Sequence, residues 1–262
     1  MVRTAIQLQT LESLPEGLQD TIARVGETAL DGVEFAGIEG ATPVEIADAL
    51  DDADLEPIGA HVQLDALEQK YDDIIAAYET IGCRRLIESG RHVESFTSVE
   101  AVEAFVDRLE TVANRLQSDG FELLYHNDMI EFDTLENEVA FNVFTASLDQ
   151  SISLEIDTGL AQYAGVDPLS LLSQHAGRVP LVHLTDSVPG GAATLNVELG
   201  AGELDVNGCV ETARNSDVEW IVYEHSMTSD PIDSLTHAET RLSYLCHGAD
   251  GTGLAQSVST TD

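Results

Sequence analysis

At 262 residues the chain is long for one ordinary domain and of normal length for a barrel of alternating strands and helices, enough to bury a substantial core. Its 48 Asp and Glu against 11 Lys and Arg, a formal net charge of −37, ordinarily exclude a nucleic-acid partner, because phosphate affinity comes from Lys and Arg and no basic stripe is visible. Three cysteines far apart, Cys83, Cys209 and Cys246, exclude a CxxC-type zinc site and a disulfide framework, and no apolar run nears the length of a membrane span.

The opening MVRTAIQLQT enters a strand at about 3–8 with no signal-peptide apolar region, so a soluble cytoplasmic protein without membrane association is expected. An amphipathic stretch at 16–29 follows, then a strand at 32–36 and a helix at 43–52 that opens on Thr42 with Pro43 at its first position. Strand 57–62, helix 65–81, strand 84–88 and helix 98–118 continue the alternation, with Gly82 and Gly120 standing where left-handed caps are expected. The acid is dispersed over these helices, as in EIADALDDADLE (45–56) and VEAVEAFVDRLE (99–110), and Lys70 is the only lysine beside ten arginines. Such a surface repels itself at low ionic strength and is screened in molar salt, so a salt-accumulating cytoplasm of haloarchaeal type is expected.

The second half supplies strands at 121–126, 152–157, 179–184 and 219–224 and helices at 136–146, 167–175, 206–215 and 233–246, with Asp167-Pro168 and Asp230-Pro231 marking two helix starts. Residues 185–204, TDSVPGGAATLNVELGAGEL, form a long loop rich in small residues, the mark of a lid or binding loop. From Gly248 the chain is small, polar and unpatterned, and a disordered tail is expected over 248–262. Eight strands alternating with helices predict an α/β fold, a single (β/α)8 TIM barrel over 1–247. An open doubly wound sheet would want a glycine-rich phosphate turn after the first strand, where Gln7, Leu8, Gln9 and Thr10 supply none.

Three consecutive apolar runs of the second half close on polar residues: Asp157 ends ISLEID, His183 sits in VPLVHLTD, and Glu224 ends WIVYE. A β-branched run buried on both faces places such residues at the C-terminal rim of a parallel sheet, where barrel enzymes keep their chemistry. Singly, each has a plain structural explanation, a helix cap or an arginine partner for the carboxylates and a hydrogen-bonded semi-buried ring for His183. Together they form an oxygen and nitrogen donor set suited to a divalent metal, since buried charge without a partner is costly. Trp220 begins its strand and is expected to plug the barrel floor or to pack under a helix.

The motifs GVEFAG (32–37), LLYHNDMIEF (123–132), LEIDTGLAQYAGVDP (154–168), GRVPLVHLTD (177–186), ELGAGELD (198–205) and IVYEHS (221–226) resemble those of the xylose isomerase-like TIM barrels. Within that group the chain resembles the sugar phosphate isomerase/epimerase proteins, relatives of inosose dehydratases, ketose 3-epimerases and, more distantly, endonuclease IV. The resemblance implies a divalent cation, Mn²⁺, Mg²⁺ or Zn²⁺, held at the barrel mouth by Asp157, His183, Glu224 and a fourth residue from strand five. Many epimerases have a Glu at that fourth place; this chain reads Tyr125, His126, Asn127, Asp128, which makes His126 the candidate ligand and turns Asn127 or Asp128 toward substrate. Asp186 matches the aspartate of an HLKD-like motif, where it would orient the ligand histidine or hold strand seven and its loop, while the lysine of that motif is Thr185 here.

The implied activity is isomerisation or epimerisation of a sugar, keto-sugar or cyclitol, by proton abstraction next to a carbonyl and a metal-stabilised enediolate. Glu224 is the candidate base, and His126 or Glu131 could act from the opposite face. One base would serve isomerisation or dehydration, and two opposed groups would serve epimerisation. Glu34, His61, Glu88 and His92 follow predicted strands and could hydrogen-bond sugar hydroxyls, and each could equally be a solvated loop residue. A lyase or hydrolase acting on an oxidised sugar would use the same metal and base, and a sugar-binding barrel without catalysis would keep the same rim. A DNA-repair endonuclease would need more rim histidines and a basic track than the chain supplies. A homo-oligomer is compatible with all of these.

Overall fold

In the computed structural model, whose described residues are 2–247, eight parallel strands close into a barrel. They are β1 (Arg3–Gln7), β2 (Gly32–Phe35), β3 (Glu56–His61), β4 (Arg85–Glu88), β5 (Glu122–His126), β6 (Ser153–Asp157), β7 (Leu181–Leu184) and β8 (Trp220–Tyr223). Each lies beside its neighbours in sequence, and β8 closes on β1 with Trp220 opposite Arg3 and Tyr223 opposite Ile6. All eight sit where the alternation of apolar runs predicts them. The tail expected over 248–262 lies outside the described residues.

Nine helices surround the barrel among the described residues: α1 (Leu18–Val25), α2 (Pro43–Ala53), α3 (Leu64–Ile81), α4 (Val99–Ser118), α5 (Ala140–Ser147), α6 (Thr158–Tyr163), α7 (Pro168–Gln174), α8 (Val206–Asn215) and α9 (Pro231–His247). Thr42 and Glu45 form a reciprocal capping box that starts α2, and the Asp167 carboxylate accepts from the Leu169 amide at the head of α7. The predicted helix at 136–146 starts later, at Ala140, because Glu136 turns left-handed (φ 56°) within a small antiparallel hairpin, Thr134–Leu135 against Glu138–Val139. Helix α6 is an addition to the predicted set. It begins on the Asp157 side chain, which accepts from the Leu160 amide at 2.7 Å, so one residue both ends a strand and caps a helix.

Most of the core lies between the barrel and the helix layer. A second apolar group, Ala5, Ile58, Ile87, Leu124, Leu181, Trp220 and Val222, fills the barrel interior. Trp220 is 2 % exposed, with the Arg3 guanidinium 4.0 Å above its ring, and forms the floor that its position predicts. Chemistry is thereby confined to the other end.

Cations on the surface are consumed locally. Arg3, Arg24, Arg84, Arg85, Arg91, Arg108 and Arg115 each pair with Asp or Glu, while Arg178 and Arg214 donate to backbone carbonyls. With 48 acidic side chains in the sequence, most carboxylates have no basic partner to offset them. No helix among the described residues is long and apolar enough to cross a membrane.

Candidate metal centre

Side chains alternate along a strand, so the residue two places beyond an interior plug residue also points inward, one step nearer the C-terminal end. That step carries Leu124 to His126 on β5, Leu181 to His183 on β7, and Val222 to Glu224 just past β8. With Asp157 at the end of β6 they form one group, each offering a ligand atom within 4.8 Å of the others. None of the four is more than 9 % exposed. Glu224 Oε2 lies 2.9 Å from His183 Nδ1, and His126 Nε2 lies 3.8 Å from Asp157 Oδ2.

The donor set fits a divalent cation. His126 Nε2 is buried with no hydrogen-bond partner, and burial together with the facing His183 and His61 rings holds this imidazole well below its ordinary pKa, in the neutral form a metal ligand needs. Burial, reinforced by Glu224, pushes the Asp157 carboxyl up to about 7. A cation between Asp157 and Glu224 would relieve that strain. Asp157 is positioned on several sides: the Thr185 hydroxyl donates to its Oδ1, the Asn127 Oδ1 accepts from its backbone amide at 3.0 Å, and the Asn127 Nδ2 donates to its carbonyl at 3.3 Å.

Beneath this group lies a second one that the sequence partly concealed. Glu34, His61, Glu155 and His183 also bring ligand atoms within 4.8 Å of one another. His61 Nε2 is 2.8 Å from Glu34 Oε1 and 3.1 Å from Glu155 Oε2, and His183 Nε2 is 2.9 Å from Glu34 Oε1 and 3.3 Å from Glu155 Oε1. The Gln7 Nε2 donates to Glu34 Oε1 at 2.6 Å. Burial works against charge on His183, but Glu155 and Glu34 outweigh it and hold the ring's pKa well above its usual value. Gln7 and Glu155 escaped the sequence reading. The signal for Glu155 was its place two residues before Asp157 in SLEID, which puts both carboxylates on one face of a strand.

A cleft of ≈ 610 Å³ opens beside the loops that follow β1 to β4, and His61 lines it together with Gln9, Gln63, Lys70, Tyr78 and Ser89. It is large enough for a small-molecule ligand.

No family model matches the chain, and no curated protein is similar to it in sequence. Solved structures are similar in fold. A sugar phosphate isomerase/epimerase from Parabacteroides distasonis aligns with a TM-score of 0.78 at 13% identity, over 95% of this chain and 94% of that one. The chain has the xylose isomerase-like TIM-barrel fold. The IOLI protein, in a structure with a bound zinc atom, aligns with a TM-score of 0.77 at 12% identity over 95% of this chain and 100% of that one. An L-ribulose 3-epimerase aligns with a TM-score of 0.71 at 14% identity over 94% of this chain and 95% of that one. At such identities the likeness is one of fold.

The remaining candidates of this xylose isomerase-like barrel take other places. Glu88 points away from the barrel interior: it accepts from the Leu64 amide at the head of α3, from the Gly90 amide at 2.5 Å, and pairs with His92 Nε2 at 3.0 Å. It therefore ties a helix start to a loop and does not join either group, and His92 goes with it. Asn127 binds the β6 backbone, as above, and Asp128 pairs with the Arg91 Nε at 2.9 Å. Asp186 does not reach His183. Its carboxylate accepts from the amides of Ser187, Gly200, Gly202 and Leu204 at 2.8 to 3.0 Å and so pins the long loop across 185–204. The GAG turn follows from that contact: Gly200 is left-handed (φ 91°), and a Cβ at Gly202 would stand 2.1 Å from Asp186 Oδ1.

Glu131, the candidate second base, is also outside both groups. It accepts a hydrogen bond from the Tyr125 hydroxyl on the outer side of β5, where Tyr125 packs against Phe144. Burial, with the nearby Asp128 charge, pushes its carboxyl up to about 7, and one of its oxygens, Oε2, has no hydrogen-bond partner. A raised folded-state pKa means that the unfolded chain ionises first as pH rises from about 4.5 to 7, so this group costs stability across that window, by about 3 kcal/mol in full above it. Glu131→Gln is expected to remove that cost while still accepting from Tyr125. Thermal unfolding in molar KCl should show the variant gaining on the parent as pH rises from 4 to 8; parallel curves would show that Glu131 is not buried in its neutral form.

Proposed function

We propose that this chain is a metal-dependent isomerase or epimerase of a sugar, keto-sugar or cyclitol. The observation that carries the proposal is the buried, unpartnered His126 Nε2 facing Asp157, His183 and Glu224 at the C-terminal end of the barrel. His126, Asp157, His183 and Glu224 would hold the cation, which would act as a Lewis acid on the oxygens of a keto-alcohol.

The chain's own residues supply the rest. Glu224, at 9 % exposure, and His126, at 8 %, are the two donors of the group that reach toward solvent. With Oε2 directed at His183, Glu224 has its second oxygen free to take a proton from the hydroxyl-bearing carbon beside the carbonyl and return it to the carbonyl carbon, while the hydroxyl proton passes to the former carbonyl oxygen. His183 is aligned from below by Glu34 and Glu155, and Asp157 by Thr185 and Asn127, so neither has to reorganise during turnover. Because Glu131 lies on the outer side of β5, one carboxylate base faces substrate. That arrangement favours transfer on one face, hence isomerisation, and makes loss of water next to the carbonyl the second reading.

The test is a panel of keto-sugars and cyclitols incubated in D₂O and molar KCl with protein stripped by a chelator or reloaded with Mn²⁺, Mg²⁺ or Zn²⁺. Deuterium next to a carbonyl, present on reloading and absent after stripping, is the expected result; product mass separates isomerisation from dehydration. Metal binding without exchange on any substrate would leave a sugar-binding barrel instead, and no bound metal would remove the proposal.

A further inference from the structure

We infer that the inner group of Glu34, His61, Glu155 and His183 is a second divalent-cation site, sharing the His183 ring with the outer one. Five donor atoms of the four residues follow one another in a ring closed through the Glu155 carboxylate: Glu34 Oε1 to His61 Nε2 at 2.8 Å, His61 Nε2 to Glu155 Oε2 at 3.1 Å, Glu155 Oε1 to His183 Nε2 at 3.3 Å, and His183 Nε2 back to Glu34 Oε1 at 2.9 Å. Ligands about 2.0 to 2.2 Å from a tetrahedral zinc-like ion stand roughly 3.3 to 3.6 Å from one another, so this ring would open by a few tenths of an ångström to take one. Two imidazoles and two carboxylates suit Zn²⁺ or Co²⁺ better than the all-oxygen shells that Mg²⁺ prefers.

Hydrogen bonding alone does not account for the group. Glu34 and Glu155 are 0 % exposed, and Glu34 Oε2 and Glu155 Oε1 have no hydrogen-bond partner. One oxygen, Glu34 Oε1, meanwhile has the His61 and His183 Nε2 atoms and the Gln7 amide all converging on it. Histidine Nε2 atoms aimed together at a pair of carboxylates, with carboxylate oxygens left over, are an arrangement that a shared ion would satisfy.

Charge points the same way. Glu34, Glu155, Asp157 and Glu224 bring four carboxyl groups into the barrel, and among the described residues their ion-pair partners are histidines, not Arg or Lys.

The inference rests in part on the outer site proposed above, and the experiment separates them. Full-length protein in molar KCl is stripped with a chelator, reloaded with Zn²⁺ or Co²⁺, desalted, and its metal counted by mass spectrometry. Circular dichroism and thermal unfolding confirm that Glu155→Gln and Asp157→Asn, both close in shape to the parent, remain folded; His61→Gln stands in for Glu155→Gln should that variant not fold. Two equivalents in the parent and one in each variant are expected, with Co²⁺ absorption bands that differ between the variants. One equivalent in the parent, kept by Glu155→Gln and lost by Asp157→Asn, would overturn the inner site and leave the outer one standing. One equivalent with the opposite behaviour would support the inner site and remove the outer one, and none would remove both.

Discussion

Glu224→Gln is expected to lower solvent exchange at the substrate carbon by two to four orders of magnitude, the usual contribution of a positioned general base. The amide keeps the shape of the carboxylate and fills the same place beside His183 Nδ1, which lies 2.9 Å from Glu224 Oε2, so the barrel should stay folded. What is lost is the ability to take a proton, along with part of the affinity for the cation. The two losses are separable: with metal content brought back to the parent's level by excess Mn²⁺ or Zn²⁺, exchange should remain depressed while binding of a substrate analogue survives. Exchange restored to the parent rate under those conditions would move the base elsewhere, with His126 the next candidate.

Transfer of the metal-loaded protein from about 2 M KCl to about 10 mM salt is expected to lower its unfolding midpoint by about 10 °C or more, or to unfold it at room temperature. At low salt the Debye length grows to roughly 30 Å, comparable with the molecule, whereas molar salt confines each charge to about 3 Å. A formal charge of −37 then acts on itself across the whole surface, and the seven acid-paired arginines neutralise only a small part of it. The effect should follow ionic strength: a neutral osmolyte at matched osmolality should restore little. A midpoint indifferent to salt, or one that rises on dilution, would show that the acid serves another purpose than a saline interior. A destabilisation of a few kcal/mol corresponds to a shift of this size in a chain of such length.

Much of the outer group could be read in one dimension. Asp157, His183 and Glu224 each stand at the end of an apolar run, and a parallel barrel brings such ends to one rim, so their meeting follows from counting eight strands. His126 came less directly, from the strand-five motif, and its neutral, unpartnered ring is visible only in the packed structure. Glu88 and Glu131 show the limit of reasoning by position. Glu88 ends β4 one residue past the inward Ile87 and so faces outward to the α3 backbone, while Glu131 lies in the turn Ile130–Phe132 beyond β5 and meets Tyr125 on that strand's outer side. Of the two roles open to Asp186, orienting a histidine or holding its loop, the structure shows the second: it gathers the amides of Ser187, Gly200, Gly202 and Leu204, the last three brought to it by the return of residues 200–204.

Sequence alone determined the eightfold alternation, the buried floor under the rim and the excess of acid, because each is a matter of period or composition along the chain. Only the tertiary structure decided that Glu34 and His61 of the first half lie against Glu155 and His183 of the second. Their meeting depends on barrel closure, on the register between strands far apart in sequence, and on the face each side chain takes. None of these is written in local periodicity, since contacts across the barrel arise only once all eight strands have closed.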